Sequence, residues 1–141
     1  MEPSFEDYPQ PEWNTPTSAS DAMTAIASAR TQKQSAQAYD QLLYALGNNH
    51  AGTYYPIALA ALPRLALVLR SGHVWAQHAA LNVLIELTGS FVPDAEHEHF
   101  AGSALAESIH SGIGNMRSII EQVAQAGTEA STSAIELLEQ I

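Results

Sequence analysis

Apolar positions recur along most of the chain at the three- and four-residue spacing of one helical face. Tyr39, Leu42, Leu43 and Leu46 fall at i, i+3, i+4 and i+7 and predict a helix from about Lys33 to Leu46. Leu62, Leu65, Ala66 and Leu69 predict another from about Tyr55 to Leu69. Pro63 lies inside it and predicts a bend, because an interior proline removes one backbone bond and costs roughly 3 kcal/mol. Val74, His78, Leu81, Ile85 and Thr88, broadened by Leu84, predict a helix from about Val74 to Leu87. Ile109, Ile113, Met116, Ile120 and Val123 predict one long helix ending near Ala126, weakened at Gly112 and Gly114. Two weaker patterns flank these. Met23, Ile26 and Ala27 mark a first helix, capped by Ser18 with Asp21 three residues on. Ile135, Leu138 and Ile141 mark the inward face of a last one starting near Glu129.

Gly47, Ser71-Gly72, Gly89 and Gly127 stop these helices, Asn48 to Thr53 is turn chemistry, and residues 90–102 form a longer break. Six helices with short turns make three antiparallel hairpins. The second helices of the pairs end near Gly47, Gly89 and the C-terminus, about forty residues apart, which is the repeat length of helix-pair solenoids. The predicted fold is all-α: three antiparallel helix hairpins stacked as a short solenoid or bundle, in one domain over residues 18–141. Residues 1–17 hold Pro3, Pro9, Pro11 and Pro16 and fit neither periodicity, so they predict an acidic, Pro-rich flexible or extended tail. Phe5, Tyr8 and Trp13 either pack that tail onto the helices or meet a partner.

Composition narrows the function. A chain of 141 residues suits one core. With no cysteine, disulfides, thiolate metal sites and a Cys nucleophile are excluded. The formal net charge is −10 with only five bases, which argues against binding nucleic acid or an anionic membrane and favours a basic protein partner. The acids gather at the ends. Glu2, Glu6, Asp7, Glu12 and Asp21 precede a near-neutral middle, and from Asp94 onward eight acids face Arg117 alone. No apolar run reaches the roughly 18 residues of a membrane span, and residues 1–16 lack the basic start and apolar run of a secretion signal. The expected location is cytoplasmic.

Enzyme motifs such as GxSxG, GxGxxG and the P-loop are missing from the sequence. Glu96-His97-Glu98-His99 is the most chemical run. It reads as a solvated acidic loop, as a partner-binding loop, or as ligands for a divalent ion, the last hampered by the need for about four donors. His78 on the apolar stripe reads as a hydrogen-bonded core or groove histidine, and His50 as a loop-bonding one. Tyr54, Tyr55 and Trp75 flank the central hairpin and serve either inter-repeat packing or an interface, where Tyr and Trp are frequent anchors.

Two stretches carry a resemblance. Gly47 through Pro56 (GNNHAGTYYP) followed by Ala60-Ala61-Leu62-Pro63, and Ala79 through Leu87 (AALNVLIEL) followed by Gly89-Ser90-Phe91-Val92-Pro93, resemble bacterial HEAT-like helical-repeat proteins over roughly residues 44–97. Proteins of that kind sit beside polymorphic or contact-delivered toxins as immunity proteins. The resemblance implies a HEAT-like stack and an immunity protein that neutralises a cognate toxin by covering its active site or substrate groove. The expected partner surface is basic, and no catalysis, cofactor or metal is expected. The expected contact residues are Tyr8, Trp13, Tyr54, Trp75, Asp94, Glu96, His97, Glu98, His99 and Glu107. The alternatives are a general adaptor or self-assembling scaffold, and a metal-dependent enzyme using His97 and His99.

Overall fold

The computed structural model describes residues 4–141, so Glu2 and Pro3 of the predicted tail lie outside the described residues. Among those residues the chain is all-α, with seven helices: α1 (Ser18–Ser28), α2 (Gln32–Leu46), α3 (Ile57–Ser71), α4 (Val74–Thr88), α5 (Leu105–Gly114), α6 (Arg117–Gln125) and α7 (Ser131–Gln140). α1 packs on α2, α3 on α4 and α6 on α7. Across these pairs α2 meets α4 and α4 meets α7, while α3 meets α1, α5 and α6.

α4 is the centre, touching α1, α2, α3, α5 and α7. It buries Ala76, Ala79, Ala80, Leu81, Val83, Leu84 and Leu87, which point to more than one side. The single stripe expected there is thus wrong in kind: a helix surrounded by neighbours is apolar on most of its faces. Val74, His78 and Ile85 of that stripe are only half-buried. The alanines let neighbouring helices approach closely. α3 continues unbroken through Pro63, whose ring faces solvent.

The expected long fifth helix divides at Gly114-Asn115-Met116 into α5 and α6. The Met116 N–H turns back to the Ile113 carbonyl at 2.9 Å, a tightened turn that re-aims the chain. The apolar stripe survives the break, with Ile109, Ile113, Met116, Ile120 and Val123 all buried. Gly112 has a steric role in α5, since a Cβ there would stand 2.7 Å from Leu62 Cδ1.

Of the residues expected inward on α7, Leu138 and Ile141 are partly buried and pack against the core, and Ile135 does not. Ala130, Ser131, Ala134 and Leu137 are buried, while Ile135 is 49 % exposed. Ala130, Ala134 and Leu137 also fall at i, i+4 and i+7, and the two small alanines let α7 lie close to α4 and α6. Close packing of small residues outweighs the bulk of Ile135.

The connections pair with one another. β1 (Gly47–Asn48) and β2 (Thr53–Tyr54) form a short antiparallel hairpin, and β3 (Val92–Pro93) lies parallel to β2 with Thr53 opposite Val92. The Val92 N–H reaches the Gly52 carbonyl at 2.9 Å and the Asp94 N–H the Tyr54 carbonyl at 2.8 Å. The α2–α3 and α4–α5 connections are thereby bound along one edge. Gly47 was expected as a left-handed stop, but its backbone is extended (φ 177°). Its missing side chain admits β2, because a Cβ would collide with the Thr53 carbonyl and stand 2.6 Å from Tyr54 Cα. Further on, β4 (His99–Phe100) and β5 (Ser103–Ala104) form a second hairpin, turned by Ala101 and Gly102 at φ 54° and 84°.

Residues 4–17, expected as a flexible tail, lie as a strap against the helices. Phe5 is buried beneath the Arg64 guanidinium, 4.0 Å from the ring centroid. The Pro9 carbonyl accepts the first amide of α3, that of Ile57, at 3.1 Å. Ser18 does not cap α1; its hydroxyl takes the Thr15 N–H at 2.9 Å instead. The prolines gave no periodic signal because the strap is held by individual hydrogen bonds and single buried side chains.

The α7 assignment yields a direct test. Leu137→Ala should cost about 2–5 kcal/mol as a fully buried truncation. Ile135→Ala should change stability by no more than about 0.5 kcal/mol, as a surface change does. Urea unfolding of the two variants measures both; equal losses would contradict the assignment.

Candidate functional site

The C-terminus of α2 organises the most distinctive surface. The last four carbonyls of a helix lack intrahelical partners. Here each finds one: Leu43 accepts from Gly47 N–H, Tyr44 from the Trp13 indole at 2.9 Å, Ala45 from the Asn14 amide at 2.8 Å, and Leu46 from Tyr55 N–H at 2.8 Å. Two of these donors are side chains of the strap and one opens the approach to α3. Trp13 and Tyr55 are thus drawn to Tyr44.

The result is a row of rings. Tyr44 lies 5.5 Å from Trp13 between centroids, Trp13 6.3 Å from Tyr55 edge-on, and Tyr55 5.0 Å from His97. Such pairs add about 0.5–1.5 kcal/mol each beyond area burial. The row is nonetheless open to solvent: Trp13 is 37 % and Tyr44 53 % exposed, and Val92 is exposed too. Beside it, Tyr8 stacks on Phe100 at 5.5 Å, tying the strap to the second hairpin.

Carboxylates rim the row. The Tyr55 hydroxyl titrates above its ordinary value, first because of partial burial, then through the negative charge of Asp94, Glu12 and Glu96. All three carboxylates therefore reach the row electrostatically. Asp94 caps the short 3-10 turn Ala95–His97, accepting the Glu96 N–H at 3.2 Å and facing His97 Nδ1 at 2.9 Å. The carboxylates of Glu12 and Glu96 have no hydrogen bond or ion pair among the described residues.

Of the contact residues expected from sequence, Trp13, Asp94, Glu96 and His97 meet here, with Tyr8, Glu98 and His99 on the adjoining segments. Three do not. Tyr54 is only 1 % exposed and is a core residue, its hydroxyl pushed up to about 12 by burial. Adjacent residues of an extended segment point to opposite sides, so Tyr54 turns in where Tyr55 turns out. Trp75 sits at the far end of α4, its ring 5.2 Å from His78. Glu107 is exposed in the first turn of α5, on a shallow depression with Ser103 and Ser111. Sequence reasoning left Tyr44 out, because it falls off the apolar face of α2; an exposed aromatic on a polar helix face was the available signal. No three His, Asp or Glu groups could jointly hold a metal ion among the described residues. Nor is any helix of those residues long and apolar enough to cross a membrane.

A second polar cluster crosses α2, α4 and α7. Ser35 Oγ, buried, and the Asn82 amide lie 3.1 and 3.2 Å from His78 Nδ1, and Ser133 donates to Asn82 at 3.0 Å. It joins three helices, α2 to α4 through His78 and α7 to α4 through Asn82.

Compared with known proteins, the chain matches no family model, no curated protein and no solved structure.

Burial lowers the His78 pKa below its ordinary 6.5. The unfolded chain then binds the proton more readily than the folded one, so this contribution to stability is full above about pH 6.5 and is lost below it, as the pH falls through the lower pKa of the folded state. His78→Gln removes the titration. The stability difference between wild type and variant should shrink as pH is lowered from about 7.5 to about 5, as read by urea unfolding at each pH; a constant difference would contradict the assignment.

Proposed function

We propose that the chain is a protein-binding module, and more specifically an immunity protein that neutralises a cognate bacterial toxin by covering its active site or substrate groove. The observation that carries the binding reading is the fixed, solvent-open ring row Tyr44–Trp13–Tyr55–His97 with its carboxylate rim. Tyr and Trp held in place before binding lose little entropy on contact, which is why such residues anchor interfaces. The net charge of −10 favours a basic partner and speeds its approach. A toxin acting on nucleic acid or nucleotides has a basic site, and an acidic inhibitor imitates the charge of that substrate.

The finer architecture we propose is a short HEAT-like stack of three helix pairs. The neighbour pattern supports it: α1–α2, α3–α4 and α6–α7 pair, while α2, α4 and α7 adjoin in series and α3 bridges α1 to α5 and α6. In such stacks the connections line up along one edge, and that is where the ring row sits. The immunity role itself rests on the resemblance of the two stretches within residues 44–97 and on the acidic edge. Such a role needs no cofactor and belongs in the cytoplasm, where an incoming toxin acts.

The test is co-expression with the toxin encoded beside it. Wild type should form a stable complex and rescue growth. The exposed-site triple variant Glu12→Lys, Glu96→Lys, Glu98→Lys should bind about tenfold or more weaker, mostly through slower association that loses its salt dependence. Unchanged affinity and rescue would contradict the proposed surface.

A further inference from the structure

Resting on the protein-binding reading above, we infer that the ring row is a receptor for an arginine side chain of the partner, its guanidinium laid against Trp13 and Tyr55 and met by the carboxylates of Glu12 and Glu96. The indole N–H of Trp13 is already committed to the Tyr44 carbonyl at 2.9 Å. What Trp13 offers a partner is therefore its ring face, not a donor. A ring face attracts cations, and a desolvated contact of this kind is among the stronger cation–π arrangements when the ring is Trp.

Among the described residues no ion pair or cation–π contact joins a lysine or arginine to the row. Arg64 lies over Phe5, Arg30 bonds the Ala27 and Ala29 carbonyls, and Arg117 the Ile141 carbonyl. A cation meeting the rings is therefore a partner's. Arg64 over Phe5 also shows the same pairing used within this fold, at 4.0 Å.

Arginine fits better than lysine for a physical reason. The guanidinium is planar, weakly hydrated and carries donors in a fork, so one group stacks on a ring while its edge bonds carboxylates. A lysine ammonium is compact and strongly hydrated and does one or the other. The arrangement has both halves side by side: packed, solvent-open rings and carboxylates that lack partners among the described residues.

The experiment titrates the full chain with three capped tripeptides, Gly-Arg-Gly, Gly-Lys-Gly and Gly-citrulline-Gly, following the two indole N–H signals by NMR. Trp75→Phe assigns them. The arginine peptide should shift the Trp13 signal saturably and bind roughly threefold or more tighter than the lysine peptide, with citrulline weakest because it keeps the shape and lacks the charge. Glu12→Gln should weaken the arginine peptide by a similar factor. Equal binding of arginine and lysine, or a response at Trp75 alone, would overturn the inference. If the toxin complex still depends on Glu12 and Glu96 while the peptides do not discriminate, only the arginine assignment fails. If that dependence is also missing, the docking surface itself is wrong.

Discussion

Four carbonyl oxygens at the end of α2 constrain the rest of the functional edge. The last turn of every helix leaves four carbonyls without intrahelical partners, and side chains that take them up are fixed in place by doing so. In this chain the donors are one backbone amide from β1, one from the approach to α3, and the side chains of Trp13 and Asn14. The strap is thereby part of the folded unit, although it holds no long element. It also caps the start of α3 through the Pro9 carbonyl. One segment thus completes the end of one helix and the beginning of the next, and the aromatic side chains it carries come to rest on the surface between them.

α4 supplies the complementary constraint from within. Surrounded by five helices and rich in alanine, it fixes the spacing of its neighbours. The connections that follow α2 and α4 then run close enough to share a parallel bridge, Thr53 to Val92 and Tyr54 to Pro93. That bridge holds the Asp94–His97 turn against Tyr55. The ring row is consequently built from three separate stretches: the strap, the α2–α3 corner and the turn after β3. Each is held by backbone bonds, so the rings are ordered before any partner arrives.

Helix positions were legible because burial on one face leaves a period. The faces of α2, α3 and the α5–α6 stripe follow the spacing of Leu, Ile and Met closely. Legibility failed where the physics was not periodic. α4 is covered on most sides, so no stripe describes it. α7 packs through Ala130 and Ala134 beside Leu137, and a reading weighted by bulk passes over the two alanines in favour of Ile135. Two-residue strands and a strap pinned by single hydrogen bonds leave no pattern to find. The site was legible by residue type at Trp13, Asp94, Glu96 and His97. Its assembly was not, because Tyr44 joins through its carbonyl and its ring to a tryptophan thirty-one positions away. The choice between Tyr54 and Tyr55 depended on which way an extended segment turns.

The account stands on the strap being as ordered as the helices in the unbound protein. Backbone 15N relaxation measures this directly. Gln10, Glu12, Trp13 and Asn14, the residues of this stretch that carry a backbone N–H, should give order parameters of about 0.85, the level of a rigid backbone, matching α2 and α3. Values below about 0.6 across that segment would describe a flexible tail. The ring row would then not exist before binding, and the account of a pre-formed site would be contradicted.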